Sequence, residues 1–259
     1  PLDTNNRRLV KHGLQLIRSG RTRPGIRALL EVAGRTLPMV VASDLGFAVG
    51  PRLNAAGRLQ DMSLGIECLL TDNVLSAQDM AQQLDSLNQD RKVIEQGMQS
   101  EALTLLAQME LDGEERLGLC LYDPRWHQGV IGILASRVKD RMHRPVIVFA
   151  DAGSESDGTA LIKGSARSIA GIHIRDILDA VATHNPLLLN RFGGHAMAAG
   201  LTLKQQDFAA FAAAFEAELQ LQCDKEIFTR ILQHDGELPA QCLTLEFATL
   251  LRYATPWGQ

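Results

Sequence analysis

The sequence predicts an α/β protein assembled from several modules: short helices, a long connector helix, an α/β lobe with a mixed sheet, and the start of a third module. Three observations carry this. Residues 1–72 show helical spacing repeatedly interrupted by Gly and Pro. Residues 76–109 read as one long helix, its apolar spacing of three and four interrupted near Arg91 and before Ala102. From residue 117 the pattern becomes strand, helix, strand, which implies a parallel pair joined by a crossover.

The elements follow in order. "NNRRLVKHGLQLIRSG" places Leu9, Leu14, Leu16 and Ile17 at helical spacing and stops at Gly20. "RPGIRALLEVAG" starts after Pro24 and ends at Gly34, and Pro38 opens "MVVASDLGFAVGPRLNAAGRL". In 76–109, with Ser76 as N-cap, apolar residues recur at Ala77, Met80, Leu84, Leu87, Ile94, Met98, Ala102, Leu105 and Met109. Strands are expected in "LGLCLY", "PVIVFA", "GTALIKGSAR" (running into a loop) and "AMAAGLTL". Helices are expected in "HQGVIGILASRVKDRM", "HIRDILDAV" and "QQDFAAFAAAFEAEL", the last with Phe208, Phe211, Phe215 and Leu219 on one face. Beyond Asp224, "EIFTRILQHDGEL" alternates like a strand and "LEFATLLRYA" is helical. Thirty-six residues are too few for a domain of their own. The chain starts at Pro1 and stops at "ATPWGQ", and it reads as a piece of something longer.

Composition narrows the function classes. Apolar residues make up 46% of 259, enough for packed cores and too many for a disordered chain. Aromatics are only 5%, which argues against broad stacking platforms for bases. The four cysteines form no CxxC pair, which argues against zinc knuckles and disulfide frameworks and fits the cytoplasm. No apolar run is long enough to span a membrane, and no signal peptide is present. The net charge of −4 hides an asymmetry: residues 1–35 hold eight Lys/Arg against Asp3 and Glu31. A basic end can steer a polyanion, and it can equally be a solvated helical face.

Four stretches could carry chemistry. In "KGSARS" (163–168), read as a loop, a glycine N–H, the Ser165 hydroxyl and the Arg167 fork suit phosphate oxygens, with Lys163 at its head. An exposed polar turn explains it equally well. In "RFGGHAMAAG" (191–200), Gly193 and Gly194 either form a turn or leave bare backbone for a ligand that His195 could contact. "GPRLNAAGRL" (50–59) sets Arg52, Asn54 and Arg58 in a closely packed turn from which guanidinium groups could reach out, or at a helix corner. "DPRWHQGVIG" puts His127 near a helix N-terminus, a place for an anion or a capping and packing cluster. There is no Walker A loop, no GxSxG elbow and no metal-ligand spacing, so nothing in the chain can activate water by itself.

Taken in this order, "GPRLNAAGRL", "WHQGVIGILASR", "KGSARS" and "RFGGHAMAAGL" closely resemble the single-strand-specific 5′→3′ DNA exonucleases of the DHH/DHHA1 phosphoesterase superfamily. "PLDTNNR" and "DGEL…ATPWGQ" extend the resemblance over essentially the whole chain. It implies the helical end of a DHH catalytic domain at 1–72, a connector at 73–109, an α/β DHHA1 domain at 110–223 and the beginning of an OB-fold at 224–259. It also implies two divalent ions, Mg²⁺ or Mn²⁺, in the intact enzyme, and a single strand with a 5′ end as substrate. A single-strand-binding protein or helicase would be a further partner. His195 would reach a phosphate beside the scissile bond, while Gly193 and Gly194 let the DNA backbone approach. Ser165 and Arg167 would hold the 5′-nucleotide phosphate, and Arg52, Asn54 and Arg58 would line the catalytic side. The Asp-His-His string that names the superfamily is absent, so this stretch alone is expected to bind no catalytic metal tightly and to show no nuclease activity. Two related readings are a phosphodiesterase for short oligonucleotides and a non-catalytic relative that holds single-stranded DNA.

Overall fold

The computed structural model describes residues 2–111, 116–189, 191–232, 234 and 236–254. They form two compact units, Pro1–Lys92 with Gln233–Gln259, and Val93–Leu232.

The first unit is helical: α1 (Thr4–Arg18), α2 (Pro24–Val32), α3 (Ala42–Asp44), α4 (Gly50–Leu59), α5 (Ser63–Leu70) and the first part of α6 (Val74–Leu111). Asp3 caps α1 by accepting from the Asn6 N–H at 2.9 Å. Leu29, Leu30, Ala55, Ala56, Ala81 and Leu84 are fully buried in its core. Gly25 is a glycine for a steric reason, because a Cβ there would stand 1.9 Å from the Cys68 carbonyl oxygen of α5. The long helix expected at 76–109 is present, but its N-cap is Asn73 rather than Ser76. The Asn73 side chain accepts from the Ser76 N–H at 3.0 Å.

The second unit holds a five-stranded sheet in the order β1-β2-β3-β5-β4: β1 (Leu119–Tyr122), β2 (Val146–Ser154), β3 (Ala160–Arg167), β4 (Arg191–Gly194) and β5 (Ala198–Lys204). β1 and β2 run parallel, joined by α7 (Ile131–Met142), and the other pairings are antiparallel, so the mixed sheet is as expected. One face packs under α8 (Ile174–His184) and α9 (Phe208–Gln222). Ile147, Phe149, Ile162, Leu203, Phe211 and Phe215 are fully buried there. On the opposite face α7 covers the β2–β3 side, burying Ile131, Leu134, Ala135 and Val138.

Two expectations are corrected. Residues 163–167 are not a loop but the second half of β3, paired with β2 on one side and β5 on the other. The strand expected over 226–238 is absent among the described residues. A single 3-10 turn forms at Lys225–Phe228, and Ile231 and Leu232 stand 75% and 89% exposed. An alternating segment becomes a strand only where a sheet edge pairs with it. No β-structure of a third module therefore appears among these residues. Helix α10 (Leu245–Tyr253) follows, capped by Thr244.

The start of β1 hangs on one side chain. Glu216 of α9 accepts from the N–H groups of Leu117 and Gly118, both at 3.0 Å. Glu216→Ala leaves both donors without that partner, and thermal or denaturant unfolding is expected to show a loss of about 1–3 kcal/mol.

Candidate phosphate-binding site

The pleat of β3 divides its residues between two chemistries. Ile162, Gly164 and Ala166 face the buried core, and Lys163, Ser165 and Arg167 face the other way. Gly164 is dictated by that core: a Cβ there would come 2.6 Å from the Phe149 ring and 2.8 Å from Leu201. The nest of open backbone donors expected at this glycine is not formed, since the segment lies in a central strand. What this segment offers a ligand is its side chains instead.

Ser165 and Arg167 act as a unit. The Arg167 Nη1 donates to Ser165 Oγ at 3.0 Å and to the Ala166 carbonyl at 2.8 Å, which fixes the fork in place. Gly132, in the first turn of α7, makes room for it. A methyl at 132 would lie 2.9 Å from Arg167 Nη2 and 3.1 Å from Ser165 Oγ. The start of α7 and the "KGSARS" segment are thereby brought together.

The "RFGGHAMAAG" stretch is β4, a tight turn and the first residues of β5. Register places Gly193 opposite Gly200, and Gly200 opposite Ser165. Ala198 pairs with Arg167, and its carbonyl accepts from the His195 N–H at 2.8 Å. His195 is exposed at the hairpin tip beside this row. Ser165, Arg167, Gly193 and His195 therefore gather on one sheet face or at its rim.

The two glycines have different reasons to be glycine. Gly194 has φ 153°, and a Cβ there would strike the Ala198 carbonyl oxygen at 2.4 Å and Ala199 Cα at 2.5 Å. It is needed by the hairpin itself. A Cβ on Gly193 would meet nothing within 4 Å, so the fold does not require a glycine there.

The remaining candidates divide. His127 is exposed, and its Nδ1 accepts from the Gly129 N–H at 3.0 Å, which commits that nitrogen to its own turn. Beside it Trp126 is 4% exposed and donates to Glu101 of α6 at 2.8 Å. Arg125 bridges Asp123 and Glu101. The Arg125 side chain and backbone donors hold the Asp123 carboxyl below its usual range. In the helical unit, 50–59 is a continuous helix, α4, rather than a turn. Arg52 is turned inward, paired with Asp85 at 2.7 Å and donating to the Ala48 carbonyl at 2.7 Å. Asn54 and Arg58 lie on the exposed face, where i and i+4 positions coincide. Sequence reasoning missed Gly132 and Glu101. Only the strand reading of "KGSAR", with polar and small residues strictly alternating, carries a usable signal.

Among the described residues no group of three or more His, Cys, Asp or Glu could hold a metal ion, and no helix is long and apolar enough to cross a membrane. Residues 115–221 match the DHHA1 domain family. The whole chain is 54% identical over 260 residues to the single-stranded-DNA-specific exonuclease RecJ of Dickeya dadantii, and equally to that of Escherichia coli. It spans 44% of the length of these curated relatives. The RecJ of Thermus thermophilus solved with Mg²⁺ superposes with TM-score 0.69 at 33% identity, over 85% of this chain and 32% of that one. The Mn²⁺ complex gives TM-score 0.70 at 35% identity, over 85% and 30%.

Gly194→Ala combines strain at a positive φ with a backbone clash and is expected to destabilise the protein by about 2 kcal/mol or more in thermal unfolding.

Proposed function

We propose that this chain, 54% identical over its length to the RecJ exonucleases of Dickeya dadantii and Escherichia coli and matching the DHHA1 domain family over residues 115–221, forms the phosphate-binding side of a single-stranded-DNA 5′→3′ exonuclease of DNA repair and recombination. The observation that carries the proposal is Gly193. It is a glycine that its own fold does not need, placed opposite Gly200 and in line with Ser165 on the face that holds Arg167. A bare strip of backbone beside a fixed guanidinium fork suits a sugar-phosphate chain that must come close.

In this reading Ser165 and Arg167 take the 5′-phosphate. Arg supplies planar, bidentate donation, and the serine hydroxyl adds a donor at a fixed distance. Lys163 adds a point charge on the same face. His195, at the open tip, reaches the phosphate next to the bond to be cut, where an imidazole can donate a hydrogen bond or a proton. Gly194 and Gly200 keep the path clear, and His127 lies on the approach from α7. In the helical unit Asn54 and Arg58 stand exposed on α4, and Arg52 braces α4 through its pair with Asp85.

The resemblance implies Mg²⁺ or Mn²⁺, and the two Thermus structures contain these ions. The described residues do not fit such a centre, because they offer no cluster of carboxylates and imidazoles. The ion would supply the activated water. What this chain's residues do is bind, orient and position the phosphate.

Two substitutions test the reading by fluorescence anisotropy with single-stranded oligonucleotides. Gly193→Ala is expected to leave the melting temperature unchanged while weakening binding about tenfold or more, as the methyl enters the strand's path. Arg167→Ala is expected to abolish the preference for 5′-phosphate over 5′-hydroxyl ends. Normal binding by the Gly193→Ala chain, or a 5′-phosphate preference that survives in the Arg167→Ala chain, rules the assignment out.

A further inference from the structure

Two carboxylates of the long helix α6 lie outside the proposed phosphate site, yet they hold the helix that walls it. In the second unit α6 carries a buried stripe, Glu95, Met98, Ala102 and Leu106, at steps of three, four and four. Glu95 stands in that stripe where an apolar residue would be the ordinary choice. Its Oε1 accepts from Arg137 Nε of α7 at 3.0 Å. Nearly two turns further along, Glu101 accepts from the Trp126 indole Nε1 at 2.8 Å. Arg125 also approaches Glu101, at 3.6 Å, while it grips Asp123 at 2.7 Å. Arg125 is exposed, so this outer pair adds little by itself. The bond from the buried indole is the one that fixes position.

The tie to Glu101 ends on the segment that leads to the Arg167 fork. Residues 123–130 run from β1 into α7. Gln128 Nε2 donates to the Asp151 carbonyl of β2, and the Ile131 N–H reaches back to the His127 carbonyl at 3.3 Å. Gly132 follows at once, and its face toward Arg167 Nη2 and Ser165 Oγ has no room even for a methyl. The fork therefore lies directly against the start of α7. The apolar face of α7 (Ile131, Leu134, Ala135 and Val138) holds the helix down on the sheet. Apolar contact is non-directional, so it does not by itself settle where the helix stands along the strands. Directional bonds at Trp126 and Arg137 do.

We propose that Glu101 is a positioning residue for the 5′-phosphate site: by holding Trp126 it seats the start of α7, so that Gly132 backs the Arg167 fork. Glu95, tied to Arg137, steadies the same helix further along. The proposal rests on the reading above that Ser165 and Arg167 take the 5′-phosphate. Glu101 does not touch the strand. Its effect is that the guanidinium is ordered during folding instead of at the moment of binding. With the tie gone, the start of α7 can shift, Gly132 no longer bounds the fork, and Arg167 has to be ordered when the phosphate arrives. A 5′-hydroxyl end makes no use of the fork and does not register the change.

The test uses the 259-residue chain and oligothymidylates ending in 5′-phosphate or 5′-hydroxyl, compared by fluorescence anisotropy at one salt concentration. Glu101→Ala and Trp126→Phe are each expected to lower the preference for the 5′-phosphate about three- to tenfold, with affinity for the 5′-hydroxyl oligonucleotide unchanged. Glu101→Gln keeps an acceptor for the indole and is expected to recover most of the preference. In an Arg167→Ala background Glu101→Ala should cause no further loss, because the group it positions is absent. Should Glu101→Ala fail to fold, Trp126→Phe decides alone, since it removes the indole donor and keeps an aromatic ring in place. Equal losses for both kinds of end, or a loss that persists in the Arg167→Ala background, overturn the positioning role and leave Glu101 a purely structural one. Full preference in Glu101→Ala and Trp126→Phe, with wild-type preference present and abolished by Arg167→Ala, overturns it alone. A wild-type chain that binds neither oligonucleotide, or binds both alike, overturns it together with the reading beneath it.

Discussion

Everything at the candidate site depends on the register of β3. This strand is paired on both sides, and its two faces have nothing in common. Ile162, Gly164 and Ala166 fit a core of Phe149, Leu201 and Leu203, in which Gly164 has no room even for a methyl. A slip of one residue would drive Lys163, Ser165 and Arg167 into that core and expose the apolar set. The cost of burying a lysine and an arginine unpaired would far exceed the worth of any single contact. Core packing therefore aims the polar side chains, and the polar face follows from hydrophobic chemistry on the reverse side of the same strand.

The glycines of the second unit make the same point from their separate causes. Gly164 answers to the core, Gly194 to the hairpin and Gly132 to the guanidinium lying against α7. Gly193 and Gly200 answer to none of these. They face each other across β4 and β5, where side chains would normally strengthen the pairing. A sheet that gives up a cross-strand pair at this place loses stability that the rest of the fold must offset. That loss is understandable where another backbone has to lie against the strands.

Much of this is readable in the amino-acid pattern. The long helix, the strand–helix–strand unit and the Phe211, Phe215 and Leu219 face of α9 follow from periodicity, because burial of an apolar stripe decides them. The "KGSARS" segment reads as a loop because glycine and serine are turn residues by propensity. Its true signal is the alternation of Lys163, Ser165 and Arg167 with Gly164 and Ala166. The 226–238 segment fails in the opposite direction: alternation is present, yet Ile231 and Leu232 have no edge to join. Arg52 cannot be placed from local pattern at all. Its partner Asp85 lies on a different helix, and such a pairing is settled by the fold.

A net charge of −4 counts against a holder of a polyanion only if charge is averaged. What a bound phosphate experiences is set within about a Debye length, roughly 8–10 Å at moderate salt. Within that radius of Gly193 and Gly200 stand Arg167, Lys163 and Arg191, held on one face by the pleat. A helix would spread such residues around its axis; the paired strands β3, β5 and β4 keep these three on one face by ladder hydrogen bonds. The sheet thus gathers on one face charges that composition averages away. It fixes these cations on one face at spacings set by backbone geometry, so in the reading proposed above little ordering would be left when a phosphate chain binds.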